Sequence, residues 1–284
     1  MRVFEIAERN PVTVGPDDTV QRAADLMHDL NIRHLPVVEE GVVLGMLSDR
    51  DVKAATGDPG PEERRAGLAI GAVAAAHRPV REIMAVPVLG IEPDADVGEA
   101  AAAMVGAAVG ALAVVRDRRL EGIITETDVL RAYVEAAEEP EIVGGMVTTL
   151  LAAGNVIDHM PTELSTIAPD APVAEALDIM AARGIRHLPV VDEDERFVGI
   201  LSDRDIRRAI GKVSVGEPLR GRAGTVAAFM TLAVHVIGTN ATLEDAARLM
   251  VRHKIGALPV LEHGRLAGII TATDILAAFV QLLC

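Results

Sequence analysis

An α/β (α+β) fold built from small repeated units, each a three-stranded sheet with two helices in the order β-α-β-β-α, is predicted by three observations. The heptapeptide Gly-x-x-[Ser/Thr]-x-x-Asp occurs four times, at Gly45 to Asp51, Gly122 to Asp128, Gly199 to Asp205 and Gly268 to Asp274. An apolar segment precedes each copy: Leu35-Pro36-Val37-Val38, Leu112-Ala113-Val114-Val115, Leu188-Pro189-Val190-Val191 and Leu258-Pro259-Val260-Leu261. Residues 34 and 48, 111 and 125, and 257 and 271 lie fourteen positions apart, and 187 and 202 lie fifteen apart, because unit three carries one insertion within Asp192 to Arg196. Further upstream, Val20/Ala23/Ala24/Met27, Val97/Ala100/Ala101/Met104, Val173/Ala176/Leu177/Met180 and Leu243/Ala246/Ala247/Met250 fall at i, i+3, i+4 and i+7. That spacing is one helix face, repeated four times.

In unit one, Val12 to Val14 reads as a strand and Pro16-Asp17-Asp18 as a turn. Thr19 then caps a helix running to about Leu30, since its hydroxyl can accept from an otherwise unsatisfied N–H of the first turn. Leu35 to Val38 and Val42 to Leu47 are strands joined by Glu39-Glu40-Gly41, a hairpin connection, and the last helix starts at Ser48. A three-stranded sheet of this size cannot bury both faces alone, so units are expected to pack in pairs.

A second level of repetition supports pairing. Ile-Arg-His-Leu-Pro-Val-Val and Ser-Asp-Arg-Asp appear in units one and three only, whereas units two and four carry Gly-Ala-Leu and Thr-x-Thr-Asp there. Two duplicated halves follow, residues 1–137 and 156–284, with units at about 6–56, 80–135, 156–211 and 226–281. Linkers are placed at 57–79, 138–155 and 212–224, and Ala66 to Ala76 within the first has helical composition.

Composition narrows the function. A net charge of −15 with no long Lys/Arg run argues against nucleic acid and anionic membranes as partners. With no Trp, one Tyr (Tyr133) and four Phe, an aromatic base-stacking surface is not expected, so a planar ligand would lie between aliphatic side chains. The single cysteine, Cys284, allows no intrachain disulfide and points to a reducing, cytoplasmic compartment. Met1 to Asn10 carries Arg2, Glu5, Glu8 and Arg9 and so lacks a signal-peptide core. The longest stretch free of both charged residues and histidine, Ile142 to Ile157, is shorter than a membrane span and contains Gly144, Gly145, Gly154 and Asn155; it reads as a buried connector. The eight histidines, His253 and His263 among them, show no metal-ligand spacing, and no Ser/His/Asp set stands out. Arg252-His253-Lys254 reads as a solvated helix end and Glu135 to Glu141 as a surface linker.

Each heptapeptide places Ser or Thr at a strand-to-helix junction with Asp three residues on. That is close to a capping box, which satisfies free N–H groups at a helix start. The same geometry suits an anion or a diol, because the helix N-terminus offers donors and a positive dipole end while glycine permits close backbone approach. Units one and three add Arg33, His34, Arg50 and Arg186, His187, Arg204. Arg50 and Arg204 sit in the first helical turn, where the dipole opposes a cation, so an anion or a carboxylate such as Asp49 or Asp203 must compensate.

The Leu-Pro-Val-Val segment followed by Gly-x-[Leu/Ile]-[Ser/Thr]-x-x-Asp resembles the cystathionine-β-synthase (CBS) motif, and four copies resemble two tandem Bateman modules over nearly the whole chain. The resemblance implies motifs paired about a pseudo-twofold axis, with clefts for adenosine nucleotides. It implies ribose-binding roles for Asp51, Asp128, Asp205 and Asp274, with Ser48, Thr125, Ser202 and Thr271 beside ribose or phosphate. Phosphate would meet Arg33, His34, Arg50, Arg186, His187 and Arg204, and adenine would lie near Val12, Ile32, Leu89, Val109, Ser165, Ile185 and Ile255. Units two and four depart from the pattern, with Gly110-Ala111 and Gly256-Ala257 in place of Arg-His. Their clefts should borrow cations from a partner unit or take a ligand of lower charge.

The expectation is a regulatory sensor of AMP, ADP or ATP, with or without Mg²⁺, acting on an effector protein and not an enzyme. S-adenosylmethionine and NAD rank behind, and a scaffold with purely structural caps is the rival. A homodimer and an intramolecular pairing of modules both fit the sequence.

Overall fold

The structure, a computed structural model, describes residues 1–56, 77–138, 154–161, 163–210 and 224–283. Most of the three linkers, the Ala66 to Ala76 segment, much of Ile142 to Ile157, the end of the Glu135 to Glu141 run and Cys284 lie outside the described residues.

The fold is α/β, as predicted. Motif one contributes α1 (Val3–Ile6), α2 (Val20–Asp29), β1 (His34–Glu39), β2 (Val42–Ser48) and α3 (Asp49–Thr56). Motif two contributes β3 (Gly90–Ile91), α4 (Val97–Ala107), β4 (Ala111–Arg116), β5 (Arg119–Thr125) and α5 (Glu126–Glu138). Motif three has α6 (Val173–Arg183), β6 (His187–Val191), β7 (Phe197–Ser202) and α7 (Asp203–Ile210). Motif four has β8 (Ile237–Gly238), α8 (Leu243–His253), β9 (Ala257–Glu262), β10 (Arg265–Thr271) and α9 (Ala272–Leu283). Thr19 caps α2 as expected, its hydroxyl accepting from the Arg22 N–H at 3.2 Å.

The predicted strand at Val12 to Val14 is corrected to a single parallel bridge, Val14 to Val37. Motif three likewise has only the bridge Ile167 to Val190, whereas motifs two and four form short strands there, β3 and β8. Each helix of the first type (α2, α4, α6, α8) is followed by a left-handed residue: Asn31 (φ 55°), Ala108 (φ 53°), Gly184 (φ 65°) and Lys254 (φ 54°). Only the third is glycine, so the turn is invisible to a search for glycine stops.

Two compact units are formed. One comprises residues 1–100 and 109–125, the other 101–108, 126–210 and 224–283, among those described. In the first, the two hairpins join through Val42 and Arg119 into one five-stranded sheet, order β1-β2-β5-β4-β3. In the second, β10-β9-β8 and β6-β7 remain separate sheets, linked by an isolated Arg196 to Arg265 bridge. Helix α5 of motif two packs there against α8 and α9 of motif four. Tyr133 and Phe279 meet with ring centroids 5.0 Å apart, and the Thr273 hydroxyl donates to Glu126 Oε1 at 2.8 Å. An intrachain contact between the two halves is therefore present.

Pairing works by exchange of lead segments. Residues leading into motif two serve motif one: Val80 donates to the Asp18 carbonyl, Ala85 and Met46 exchange hydrogen bonds, and Val80 is buried in a core with Val14, Val20, Leu35 and Leu47. Residues leading into motif one serve motif two, with Val3 donating to the Ala95 carbonyl and Glu8 bridging Ile123. The second half repeats the exchange: Asn155 bridges Thr242, Pro172 bridges Thr225 and Ile200 bridges Thr231. Val3, Val80, Val156 and Val226 are each fully buried. Burying one such side chain is worth roughly 1.5–3 kcal/mol, so the leads are part of the partner's core and not linkers.

This exchange explains the heptapeptide glycines. A Cβ on Gly45 would stand 2.7 Å from Met84 Sδ and 3.0 Å from the Ala85 carbonyl oxygen. On Gly122 it would stand 2.7 Å from the Glu8 carbonyl oxygen, and on Gly199 2.8 Å from that of Thr231. On Gly268 it would meet the Met160 side chain. The close approach that glycine permits is made by the paired motif's lead, a use the sequence reading had reserved for a ligand.

Candidate functional site

The Ser/Thr-to-Asp cap is built as expected wherever its bonds are resolved. In motif one, Asp51 Oδ2 accepts from the Ser48 N–H at 2.7 Å and from its hydroxyl at 2.6 Å, while the Asp51 N–H donates to Ser48 Oγ at 3.3 Å. In motif three the corresponding distances are 2.9, 2.5 and 3.1 Å for Ser202 and Asp205. In motif four they are 2.8, 2.6 and 3.4 Å for Thr271 and Asp274. In all three caps both bonds accepted by the aspartate side chain end on Oδ2. Among the described residues no hydrogen bond reaches Oδ1 of Asp51, Asp205 or Asp274, so each cap leaves one carboxylate oxygen for another donor.

The cap is tied to the residue preceding the apolar strand. The Asp49 N–H donates to the Arg33 carbonyl at 2.9 Å, Asp203 to Arg186 at 3.1 Å, and Ala272 to Gly256 at 3.1 Å. Strand register sets His34 opposite Ser48 and His187 opposite Ser202, with Ala257 opposite Thr271. Parallel pairing on the other side of the apolar strand brings in Val12 and Ser165. The Ser–Asp cap, the histidine and Val12 or Ser165 thus belong to neighbouring strand ends in motifs one and three, with Ile32 and Ile185 immediately before Arg33 and Arg186. Val12 in motif one and its counterpart Leu89 in motif two are 38% and 44% exposed, unusual for large aliphatics.

Asp49 and Asp203 are buried and partnered. Yet among the described residues the guanidinium groups of Arg50, Arg186 and Arg204 make no ion pair and no side-chain hydrogen bond. The carboxylate compensation weighed for Arg50 and Arg204 is not made, which leaves two cations at helix N-termini opposed by the dipole.

Motifs two and four are built differently. Leu89 precedes β3, Val109 precedes β4, Thr125 ends β5 and Asp128 lies in the first turn of α5. Arg131 Nη1 stands 3.5 Å from Asp128 Oδ1, so a cation one turn along the helix addresses this carboxylate. In motif four Ile255 precedes Gly256-Ala257. Burial raises the Asp274 carboxyl above the ordinary range, against the lowering effect of its two Thr271 hydrogen bonds. Sequence reasoning missed His235. Ile237 pairs with Val260 as Val14 pairs with Val37, which puts His235 in the place of Val12, Leu89 and Ser165. Counting back two residues from each lead strand would have found it.

Among the described residues no group of three or more His, Cys, Asp or Glu side chains could hold a metal ion, and no helix is long and apolar enough to cross a membrane.

Four strand-to-helix junctions, three of them with the Ser/Thr-to-Asp cap in place, paired by exchanged leads, define a repeat protein of paired α/β motifs. The model of the CBS domain matches residues 3–57, 80–135, 154–212 and 226–281, and the chain belongs to the CBS domain family. MJ1225 of Methanocaldococcus jannaschii is 30% identical over 98% of this chain and 99% of its own length. Its crystal structure, described as that of a candidate archaeal homologue of γ-AMPK, superposes with a TM-score of 0.79 at 28% identity, covering 98% of this chain and 100% of that one. A conserved protein from Pyrococcus horikoshii shares the fold, with a TM-score of 0.66 at 23% identity over 98% of this chain and all of that one. Inosine-5'-monophosphate dehydrogenase of Aquifex aeolicus is 38% identical over 112 residues, 39% of this chain and 21% of the enzyme.

Proposed function

We propose that the chain is a regulatory sensor that binds adenosine nucleotides in clefts between paired CBS motifs, arranged as two modules at residues 1–137 and 156–284. The observation that carries this reading is the state of motifs one and three. A cap carboxylate with one oxygen left over lies in the same motif as the Arg50 guanidinium, or as those of Arg186 and Arg204, which have no side-chain partner among the described residues, and in motif one exposed Val12 faces the same strand edge. A carboxylate oxygen can take the ribose hydroxyls, and Arg33, His34 and Arg50, or Arg186, His187 and Arg204, meet the phosphate as charge-assisted donors. The description of MJ1225 as a candidate homologue of γ-AMPK supports the same ligand class.

AMP, ADP or ATP is the ligand of motifs one and three, since their cations suit phosphate. S-adenosylmethionine and NAD are alternatives for the motifs lacking the Arg-His pair. A bound nucleotide shifts packing toward whichever arrangement completes its contacts, so differential affinity is the signal passed to an effector protein.

Calorimetry and thermal shift with AMP, ADP, ATP, S-adenosylmethionine and NAD test the reading, with and without Mg²⁺. Stabilisation by at least one, reduced by Asp51→Ala or Asp205→Ala, is expected. A chain unaffected by every adenosine compound would be the scaffold, its caps serving only to start helices.

A further inference from the structure

One motif differs at the position two residues before the lead bridge. In the fourth motif the position held elsewhere by Val12, Leu89 and Ser165 carries the imidazole of His235. Its ring lies on that of His253, with centroids 3.6 Å apart and planes inclined by 24°. His253 is the last residue of α8, two positions before Ile255, so the stack ties the lead of β8 to the segment carrying the motif's other base-side residue. Both histidines are exposed.

Topology places this ring at a useful distance from the cap. The strand order is β10-β9-β8, with Thr271 ending β10 and His235 preceding β8. At about 4.8 Å between neighbouring strands, cap and ring segment lie roughly 10 Å apart across the sheet edge. An adenosine with its ribose on Asp274 spans such a gap and brings its base to the imidazole.

We propose that His235 is the base platform of the fourth cleft and that His253 braces it, making this cleft selective for a planar base. The inference rests on the nucleotide-sensor reading and names a specificity residue within it. Motif four has Gly256-Ala257 where motifs one and three have cations, so phosphate contributes less here and the base contributes more. Stacking on a flat ring supplies that contribution, since every purine has a π-face. Partial desolvation, then the charges of His235 and Arg252, hold the His253 imidazole below its ordinary range. That direction favours the uncharged form of the brace in the stack.

The test is calorimetric titration of the full chain with AMP and, separately, with ribose 5-phosphate, which lacks the base. The AMP-binding component removed by Asp274→Ala marks the fourth position. His235→Ala should weaken that component roughly tenfold, leave ribose 5-phosphate binding unchanged, and be rescued by His235→Phe. His253→Ala should give a smaller loss in the same direction. The inference is overturned if the component survives His235→Ala at full affinity, if AMP and ribose 5-phosphate weaken equally, or if AMP binds elsewhere with no Asp274-dependent component. Absence of any AMP binding to the wild-type chain is a different result, which removes the sensor reading itself.

Discussion

The caps of motifs three and four share a pattern of hydrogen bonds, with Oδ2 of Asp205 or Asp274 holding the N–H and hydroxyl of Ser202 or Thr271. Around them nearly everything else differs. Motif three surrounds its cap with Arg186, His187 and Arg204, motif four with Gly256, Ala257 and Thr273. The Ser/Thr and Asp are thus sufficient to start a helix, and the charge around the cap is set by the residues near them. A heptapeptide pattern alone reports the helix start; its variable positions set the charge beside it.

The comparison breaks most sharply at the glycines. A Cβ on Gly199 would press the Thr231 carbonyl oxygen, which belongs to backbone and cannot yield, whereas one on Gly268 would meet the flexible Met160 side chain. Gly199→Ala should cost about 1–3 kcal/mol in urea or thermal unfolding, and Gly268→Ala clearly less. Equal losses would mean that the two leads are docked equally rigidly.

Arg204→Ala sharpens the difference in ligand chemistry. Losing a charge-assisted contact of about 1.5–3 kcal/mol should weaken AMP at the third motif by roughly ten- to a hundredfold. The same change leaves the melting temperature unaltered or slightly higher, because a cation is removed from a helix N-terminus. Thr273→Ala should leave AMP affinity unchanged and lower the melting temperature instead, by depriving buried Glu126 of its donor.

A smaller effect is expected where α6 and α8 end. Gly184 and Lys254 adopt the same left-handed conformation, which costs a side-chain-bearing residue about 1 kcal/mol or more. Lys254→Gly should therefore stabilise the chain by about that amount, and Gly184→Ala should destabilise it similarly, as read from denaturant midpoints.

The smallest effect is the pH response of Asp274. Its carboxyl is raised by burial, so as pH falls the folded chain takes up this proton before the unfolded chain does. Protonation stabilises the fold, and that contribution is lost as pH rises through the folded pKa. Ligand binding runs the other way. The ribose needs the ionised form, so affinity at the fourth motif should fall on acidification, and Asp274→Asn should abolish that dependence in titrations at several pH values.

Helix faces, hairpins and caps were legible in the sequence because each is set by residues within a few positions of one another. Thr19, the i, i+3, i+4 faces and the Ser48 to Asp51 pair all fell where expected. The exchange of leads was not legible, since Val80 joins Val14 and Val20 across sixty or more residues and has no pattern of its own. The left-handed stops at Asn31, Ala108 and Lys254 were hidden because the usual glycine is absent. His235 was hidden for a related reason: its role follows from strand register and not from a motif, and an imidazole replaces the aliphatic residues that define the position elsewhere.

The buried valines of the exchanged leads carry a consequence for inheritance. Deleting one motif would remove Val80 or Val3 from the core of the motif that remains, exposing apolar surface that no local repair covers. Duplication of a single motif would create a core with no lead to close it. Chains of this kind can therefore grow or shrink only in steps of two motifs, so the pair, not the sequence repeat, is the unit on which duplication can act.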